Sequence, residues 1–299
     1  MTISGFSYIR NGFRYGYPFI QSIRSILPIC DEFIIAVGNS DDGTRESIIN
    51  LGDPKIRIID TIWDEKLRSN GKVFAGQSNI ALMETSGDWA FHIQADEVIH
   101  ENDLDKILSQ VQAADKDQKV EGFLLDFLNF HGNYNYLNDT RYGHRKEIRI
   151  FRNNINVYSY RDSQGFRRYP SYDDYLNLHK GFKLRVREMH VPVFHYCYVR
   201  NPEQMNIKSK YFETFYHEDG YVEKKYQDIQ EFDYYNIERV KKFDGKHPGL
   251  MKEIIESQNW EFDPAKIHKR LSVKDKIAYG IEDIIKYRIG EYRNYTLIP

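Results

Sequence analysis

The chain of 299 residues is long enough for one large domain, or for one domain with a smaller appendage, and its 41% hydrophobic and 29% charged residues are ordinary for a folded globular protein. With 42 Lys and Arg against 44 Asp and Glu, the formal net charge of -2 gives no overall attraction to nucleic acid, so no nucleic-acid partner is expected. The two cysteines, Cys30 and Cys197, exclude a disulfide framework and a cysteine-rich zinc site.

Apolar runs separated by turn-forming residues predict the elements of the first 130 residues. Strands are expected at 3–9, 32–37, 55–60, from residue 89, and at 122–130, with helices at 18–27, 45–51, 73–85 and 104–111. The run EFIIAV at 32–37 is apolar throughout, which is typical of a parallel strand covered on both faces. Strands that alternate with helices predict a parallel sheet with right-handed crossovers, and therefore an α/β fold.

Beyond residue 130 the pattern changes. The segment 131–175 is rich in Asn, Tyr, Arg and Gly, and long connections of this kind are usually functional or mobile. It contains one short predicted strand at 147–151, and a longer strand follows at 185–198. Charged helical patterns then predict helices at 205–215, 224–243, 250–257 and 274–287. We therefore expect a main domain over 1–215 and a helical segment over 216–299, which packs on that domain, pairs subunits or touches a membrane surface.

Acidic and amide side chains follow the predicted strand that begins at Trp89. In the stretch GDWAFHIQADE, the apolar run stops before Gln94, and Asp96 follows at once. Ligands of open α/β sheets bind at the carboxyl ends of the strands, where a carboxylate can hold a divalent cation against a phosphate. The same residues also fit a strand that ends in a solvated acidic turn, or an Asp96 that caps the next helix.

The loop after the second predicted strand is dense in turn formers. Its Asn39, Asp41 and Asp42 are candidate ligands for a base or ribose, although Asp-Gly pairs also make turns without any ligand. Lys72 follows Asn70 and Gly71, and it either faces a phosphate or base or is simply exposed at a helix start.

Three segments occur in a particular order: the loop VGNSDDGT at 37–44, the passage QSNIALMETSGDWAFHIQADE at 77–97, and the piece EIRIFRN at 147–153. Together they resemble the family 2 glycosyltransferases of GT-A fold, over roughly residues 2–200. The first is similar to that family's nucleotide loop, the second to the passage into its metal-binding DXD motif, and the third to the strand before its acceptor-side loop. The resemblance implies a Rossmann-like mixed sheet.

The resemblance also implies an activity. A sugar would pass, with inversion at its anomeric carbon, from a nucleoside diphosphate donor, taken to be a UDP-sugar, to a glycan or lipid-linked glycan in polysaccharide biosynthesis. Asp96 matches the second Asp of DXD and would hold Mn²⁺ or Mg²⁺, while Gln94 stands where the first Asp is expected and still offers an oxygen. His195 is a further candidate for the metal shell, or else a packed side chain among aromatic residues.

Inversion also requires a carboxylate that accepts the proton of the attacking hydroxyl. In the family this base follows the DXD motif by several tens of residues, and two positions fit, Asp162 in YRDSQGFR and Asp174 in SYDDY. Asp162 is preferred because it follows the EIRIFRN piece at short range. Either residue can instead bond its own turn or pair with a neighbouring Arg.

Five arginines from the third motif to residue 168 predict a basic zone that faces an anionic acceptor or the leaving diphosphate, or else simply solvent. They are Arg149, Arg152, Arg161, Arg167 and Arg168. No apolar run approaches the roughly 18 residues of a membrane span, and the start MTISGFSYIR lacks the apolar core of a signal peptide. A cytoplasmic protein with possible contact to a membrane surface is therefore expected.

Two other functions compete with glycosyl transfer. A nucleotidyltransferase shares the α/β arrangement, but it needs a Gly-rich and basic triphosphate loop after its first strand, and RNGFR at 10–14 is poor in Gly. A nucleotide-sugar-binding protein without turnover is motivated by Gln94 in place of an Asp. Assays of donor hydrolysis and transfer discriminate between these classes.

Overall fold

The computed structural model of the protein describes residues 1–64, 71–141, 143–162, 165–177, 179–285, 288 and 290–299. Its strands are β1 Ile3–Ile9, β2 Glu32–Gly38, β3 Ile56–Thr61, β4 Trp89–His92, β5 Glu97–Ile99, β6 Gly122–His131, β7 Asn133–Asn138, β8 Lys146–Arg152, β9 Val157–Ser159, β10 Phe166–Arg168, β11 Phe182–Tyr198, β12 Val240–Lys242 and β13 Tyr295–Leu297. Its α-helices are α1 Phe19–Ile26, α2 Thr44–Ile49, α3 Lys72–Met83, α4 Leu104–Asp115, α5 Tyr172–Leu176, α6 Pro202–Glu213, α7 Asp219–Tyr226, α8 Lys252–Glu256 and α9 Val273–Ile285.

The strands form a mixed sheet in the order β3-β2-β1-β4-β8-β6-β11-β10-β9. The first four of these are mutually parallel, whereas β8 runs antiparallel between β4 and β6. The predicted α/β class and the Rossmann-like mixed sheet are confirmed. Because β1 and β4 are parallel neighbours, the residues that follow both strands emerge at the same edge of the sheet.

The apolar run of β2 explains how the sheet is covered. Phe33, Ile35 and Val37 belong to a core shared with α1 and α4, whereas Ile34 and Ala36 belong to a second core shared with α3. Alternate side chains of a strand point to opposite faces, so a strand between two helical layers is apolar at every position. The predicted strands at 3–9, 32–37 and 122–130 are found with bounds that differ by at most one residue.

The second half of the chain departs further from the prediction. The predicted helix at 224–243 is wrong, because α7 ends at Tyr226 and β12 begins at Val240. Between them Phe232 and Tyr234 pack into a cluster with Met205 and Phe262, while Asp233 accepts a hydrogen bond from the Tyr235 amide (2.9 Å). Tertiary packing and local turn bonds thus override the helical pattern.

The segment 216–299 contains strands as well as helices. β12 pairs with β7, β13 pairs with β11, and Met251 packs with Phe130 and Phe194. Residues before and after position 215 thus contribute strands to the same sheet. The domain boundary at residue 215 stays a prediction. Positions 286–287 of the last predicted helix lie outside the described residues. None of the described helices is long and apolar enough to cross a membrane.

Candidate functional site

A cavity of about 1000 Å³ opens where β1 and β4 end. Residues from both strand ends, from the end of β11 and from α6 line it, together with aromatic side chains. Among its lining residues are Tyr8, Arg10, Tyr17, Trp63, Phe74, Gln94, Asp96, Glu97, Glu147, Arg149, Asp162, His195, Cys197, Lys208, Phe212, Tyr216, Lys225, Tyr226 and Asp233. The volume is at the upper end for small-molecule sites, and the position is the usual one for ligands of α/β sheets.

Hydrogen bonds hold the turn after β4 in place. The Ser22 hydroxyl of α1 donates to the Gln94 carbonyl (2.7 Å), and the Gln94 amide donates to the Glu97 carboxylate (3.1 Å). On the other side the Tyr196 amide donates to the Asp96 carbonyl (2.8 Å). The turn is therefore fixed between α1 and β11 before any ligand binds.

The Asp96 carboxylate is buried and faces three basic side chains. Its Oδ2 lies 3.4 Å from Lys208 Nζ and 3.8 Å from Arg200 Nη2, and its Oδ1 lies 3.7 Å from His195 Nε2. Burial alone would raise the pKa of Asp96, but the charges of Lys208, His195 and Arg200 outweigh it and lower that pKa to about 2. Asp96 is consequently ionised at neutral pH.

His195 is oriented by a neighbouring amide. Its Nδ1 donates to Asn129 Oδ1 (2.7 Å), because a carboxamide oxygen can only accept. Nε2 is thereby directed to Asp96. Burial lowers the pKa of His195, but the hydrogen bond with Cys197 and the charge of Asp96 outweigh burial and raise it overall.

Lys208 and Arg200 come from α6 and from the connection before it. Lys208 Nζ donates to the Cys197 carbonyl (3.1 Å) and lies 4.8 Å from the centre of the Tyr17 ring. Arg200 Nε donates to the Tyr15 carbonyl (2.6 Å), and Nη1 donates to the Cys197 carbonyl. Burial and Arg200 lower the pKa of Lys208, against the opposing effects of Cys197 and Asp96. Both side chains are more than nine-tenths buried.

A group that can hold a metal ion is present, since ligand atoms of Asp96, His195 and Cys197 lie within 4.8 Å of one another. Mg²⁺ and Mn²⁺ prefer oxygen ligands, however, and here a single carboxylate is joined by a thiol, which suits softer metals. That carboxylate is already contacted by Lys208 and Arg200. The residues beside Asp96 therefore do not fit a Mg²⁺ or Mn²⁺ ion, although Asp96 and His195 are brought together as predicted.

A buried ion pair lies next to this group. Arg149 Nη2 and Nε donate to the two carboxylate oxygens of Glu97 (2.6 and 2.9 Å), with both side chains at most 4% exposed. Glu147 lines the cavity two residues before Arg149. Burial raises the pKa of Glu147 to about 8, against the opposing charge of Arg149.

The two candidate bases are in different places. Asp162 lines the cavity, and its Oδ2 accepts a hydrogen bond from the Tyr216 hydroxyl (2.9 Å). Asp174 is not among the lining residues. It accepts hydrogen bonds from the Ser171 hydroxyl (2.5 Å) and from His179 (2.8 Å) at the start of α5.

The residues predicted to contact the nucleotide from the loop after β2 also lie outside the cavity lining. Asp42 accepts from the Arg14 amide (2.8 Å) and from Thr44, Asp41 pairs with the Arg14 guanidinium (2.8 Å), and Asn39 is exposed. Lys72 is exposed at the start of α3. Of the predicted ligand-contacting residues, Gln94, Asp96, His195 and Asp162 share the cavity.

The predicted basic zone is divided among separate structural roles. Arg152 donates to the carbonyls of Val120 and Ala114, and Arg167 donates to Asn294 and Tyr292. Arg168 pairs with Glu121 (3.3 Å), Arg161 is exposed, and only Arg149 lines the cavity.

Sequence reasoning missed Lys208, Arg200, Cys197 and Glu147. A lysine in a polar helical stretch such as NIKSKYF carries no sign of burial, because most lysines are exposed. Glu147 is part of the EIRIFRN motif, but that motif indicates a strand and not the side chain's environment.

No protein-family model and no curated protein matches the chain. Among solved structures, residues 1–349 of S. aureus TarS align at 12% identity over 75% of this chain and 68% of that chain, with a TM-score of 0.40. TarS in complex with UDP aligns at 13% with a TM-score of 0.39. Glucosyl-3-phosphoglycerate synthase from Mycobacterium tuberculosis, in complex with Mn²⁺, UDP and phosphoglyceric acid, aligns at 20% identity over 44% of each chain, with a TM-score of 0.30. Another crystal structure of that synthase contains Mg²⁺ and UDP.

Proposed function

We propose that this protein is an inverting glycosyltransferase that moves a sugar from a nucleoside diphosphate donor to an acceptor. The observation that carries the proposal is the cavity at the ends of β1 and β4, where the DXD-like turn places Asp96 among basic side chains. The donor is a UDP-sugar and the acceptor a glycan or lipid-linked glycan, in line with the resemblance of the three sequence motifs to family 2 enzymes.

The chemistry of the cavity supports this reaction. When the bond from the anomeric carbon to the diphosphate breaks, negative charge develops on the leaving group, and positive groups held in a buried site stabilise that charge. Aromatic residues such as Tyr8, Trp63 and Phe74 offer flat apolar faces to a base or a sugar ring. The resemblance implies Mn²⁺ or Mg²⁺ at Asp96 and His195, but no step of the proposal is routed through a metal.

Asp162 is the proposed catalytic base. It lines the cavity and accepts a hydrogen bond from Tyr216, so its carboxylate is held in one orientation. Tyr216, Lys225, Tyr226 and Asp233 also line the cavity, which supports a role for the segment 216–299 in acceptor choice.

The test is a panel of nucleotide sugars in donor hydrolysis and transfer assays, with acceptor glycans. For Asp162→Asn we expect kcat to fall by about 10²- to 10⁴-fold while nucleotide affinity stays near the parent's, because only proton acceptance is lost. Asp174→Asn is the matched control and should retain the parental rate. Loss of transfer in the control alone would move the role to Asp174.

Two outcomes would replace the proposal. Nucleotide-sugar binding without hydrolysis or transfer would identify a binding protein. Formation of a nucleotide sugar from a nucleoside triphosphate and a sugar phosphate would identify a nucleotidyltransferase.

A further inference from the structure

The cluster around Asp96 contains more positive than negative charge. Lys208 and Arg200 both contact this one carboxylate, and His195 lies beside it. We propose that the Lys208 ammonium, supported by Arg200, binds the leaving diphosphate and takes the place of a divalent cation at this site. The identification of the anion as a nucleoside diphosphate rests on the glycosyltransferase function proposed above, whereas the anion site at Lys208 does not.

The contacts of Lys208 leave it able to bind an anion. Its Nζ lies 3.1 Å from the Cys197 carbonyl, 3.4 Å from Asp96 Oδ2 and 3.5 Å from Cys197 Sγ. The distance to Asp96 Oδ2 is long for a hydrogen bond from an ammonium group, whose charge-assisted bonds to oxygen are usually 2.7–2.9 Å. A phosphate oxygen in the cavity would provide a shorter and charged partner.

Two acidic neighbours of this cluster are already paired with other cations. Glu97 is neutralised by Arg149, and Glu213 is paired with Lys225 at 2.5 Å. Asp96 is therefore the carboxylate that faces Lys208 and Arg200, and together these three side chains carry a net charge of about +1 when all are ionised. In a buried site, such an excess of charge attracts an anion strongly.

Arg200 has an unused hydrogen-bond donor beside this cluster. Its side chain is 1% exposed, and its Nη2 has no hydrogen-bond partner among the described residues. The group lies 3.8 Å from Asp96 Oδ2, on the same side as Lys208. Buried guanidinium groups normally use their donors, so an unsatisfied one directed at this cluster favours a negatively charged ligand.

Lys208 is also held beside the carboxylate that a metal ion would use as a ligand. The rings of Tyr17 and Phe212 lie 4.8 and 5.4 Å from Nζ, and these cation–π contacts restrain the ammonium beside Asp96. A divalent cation bound to Asp96 would meet this ammonium at close range and be repelled. Asp96 is then a positioning residue, which keeps Lys208 protonated and directed to the cavity.

The experiment measures binding of inorganic pyrophosphate and of UDP to the full chain by calorimetry, in EDTA and with added MnCl₂. For each ligand, we expect the affinity of the parent in EDTA and in MnCl₂ to agree within about twofold. In Lys208→Met the affinity in EDTA should fall by about 10- to 100-fold, which is the usual effect of losing one hydrogen bond to a charged group. Lys208→Arg should recover part of the loss, because it restores the cation.

Two controls accompany this variant. Lys210→Met removes an exposed lysine of the same helix that does not line the cavity, and it should leave pyrophosphate affinity unchanged. Circular dichroism and thermal unfolding verify that each variant is folded. If Lys208→Met fails to fold, the comparison of EDTA with MnCl₂ in the parent and the response of Lys208→Arg still decide the question.

The outcomes separate this proposal from the proposed function. Pyrophosphate binding that depends on Lys208, without UDP binding, would support the cation site and count against UDP as the donor nucleotide. UDP binding that rises tenfold or more with Mn²⁺ and is unaffected in Lys208→Met would keep the transferase function and overturn the role of Lys208. Failure of the parent to bind either ligand would overturn the cation site and remove the support for the donor.

Discussion

The loop after β2 and the turn after β4 both resemble motifs of one enzyme family, but they are built differently. In the first, Asp41 and Asp42 are bonded to Arg14 and Thr44 within the surface loops, and neither lines the cavity. In the second, Asp96 and Glu97 are buried and face basic side chains that come from distant segments. Glu97 pairs with Arg149 of β8, and Asp96 faces His195 of β11, Lys208 of α6 and Arg200 of the connection between β11 and α6. A motif therefore predicts where acids occur, and the partners from distant segments decide what those acids can do.

The largest effect is expected for the buried pair that anchors the turn after β4. Arg149→Met leaves the Glu97 carboxylate buried without its partner, and the free energy of unfolding should fall by about 3–5 kcal/mol. Chemical denaturation measures this value. Arg57→Met, which removes an exposed pair with Glu84, is the control and should have a much smaller effect. Equal losses in the two variants would remove the distinction between the buried turn and the surface.

A pH-dependent effect is expected for Glu147, whose pKa is raised by burial from 4.5 to about 8. The folded state retains this proton to a higher pH than the unfolded state does. The contribution of the protonated Glu147 side chain to the stability of the folded protein is thus complete below about pH 4.5 and is lost as the pH rises through about 8. Glu147→Gln should therefore be more stable than the parent at pH 9, by on the order of 2 kcal/mol, and by much less at pH 5. Thermal unfolding of both proteins across this range measures the difference, and a constant difference would contradict a raised pKa.

The smallest effect is expected in the loop after β2. Asp42→Ala removes an acceptor for the amides of Arg14 and Thr44, and the free energy of unfolding should fall by about 1 kcal/mol. Nucleotide affinity, measured by calorimetry, should stay within about twofold of the parent's. A larger loss of affinity would show that this loop contacts the nucleotide, as the sequence resemblance implies, and would make the two regions functionally alike.

The elements that sequence predicts well are those determined by local apolar patterns. Strand β2 is found over Glu32–Gly38, within one residue of the predicted bounds, because its burial on both faces requires an unbroken apolar run. The region between α7 and β12 was predicted poorly because Phe232 and Tyr234 are placed by contacts with residues far away in sequence. Local propensity carries no information about such contacts.

For the site, the sequence indicates the acids and not their partners. Asp96 is recognisable from the motif, whereas Lys208 lies 112 positions later in a helix with no distinguishing pattern. Asp162 is preferred to Asp174 in sequence only because it follows the EIRIFRN piece at short range. The packing of the chain shows that Asp162 is in the cavity wall, whereas Asp174 is in the first turn of α5, where its amide donates to the Ser171 hydroxyl. Residues brought together from β4, β11 and α6 become visible only when the fold is known.

The placement of the tryptophans gives this protein a built-in optical reporter. Of the three in the sequence, Trp89 is fully buried in the core and the Trp260 indole donates to the Gly132 carbonyl (2.7 Å), whereas Trp63 lines the cavity with its indole nitrogen unbonded among the described residues. Fluorescence responds to the immediate surroundings of an indole ring, so a change in emission on adding a ligand reports chiefly on Trp63. The Trp63→Phe variant retains Trp89 and Trp260 and therefore gives the background emission. The difference between the emission of the parent and that of this variant follows occupancy of the cavity in real time.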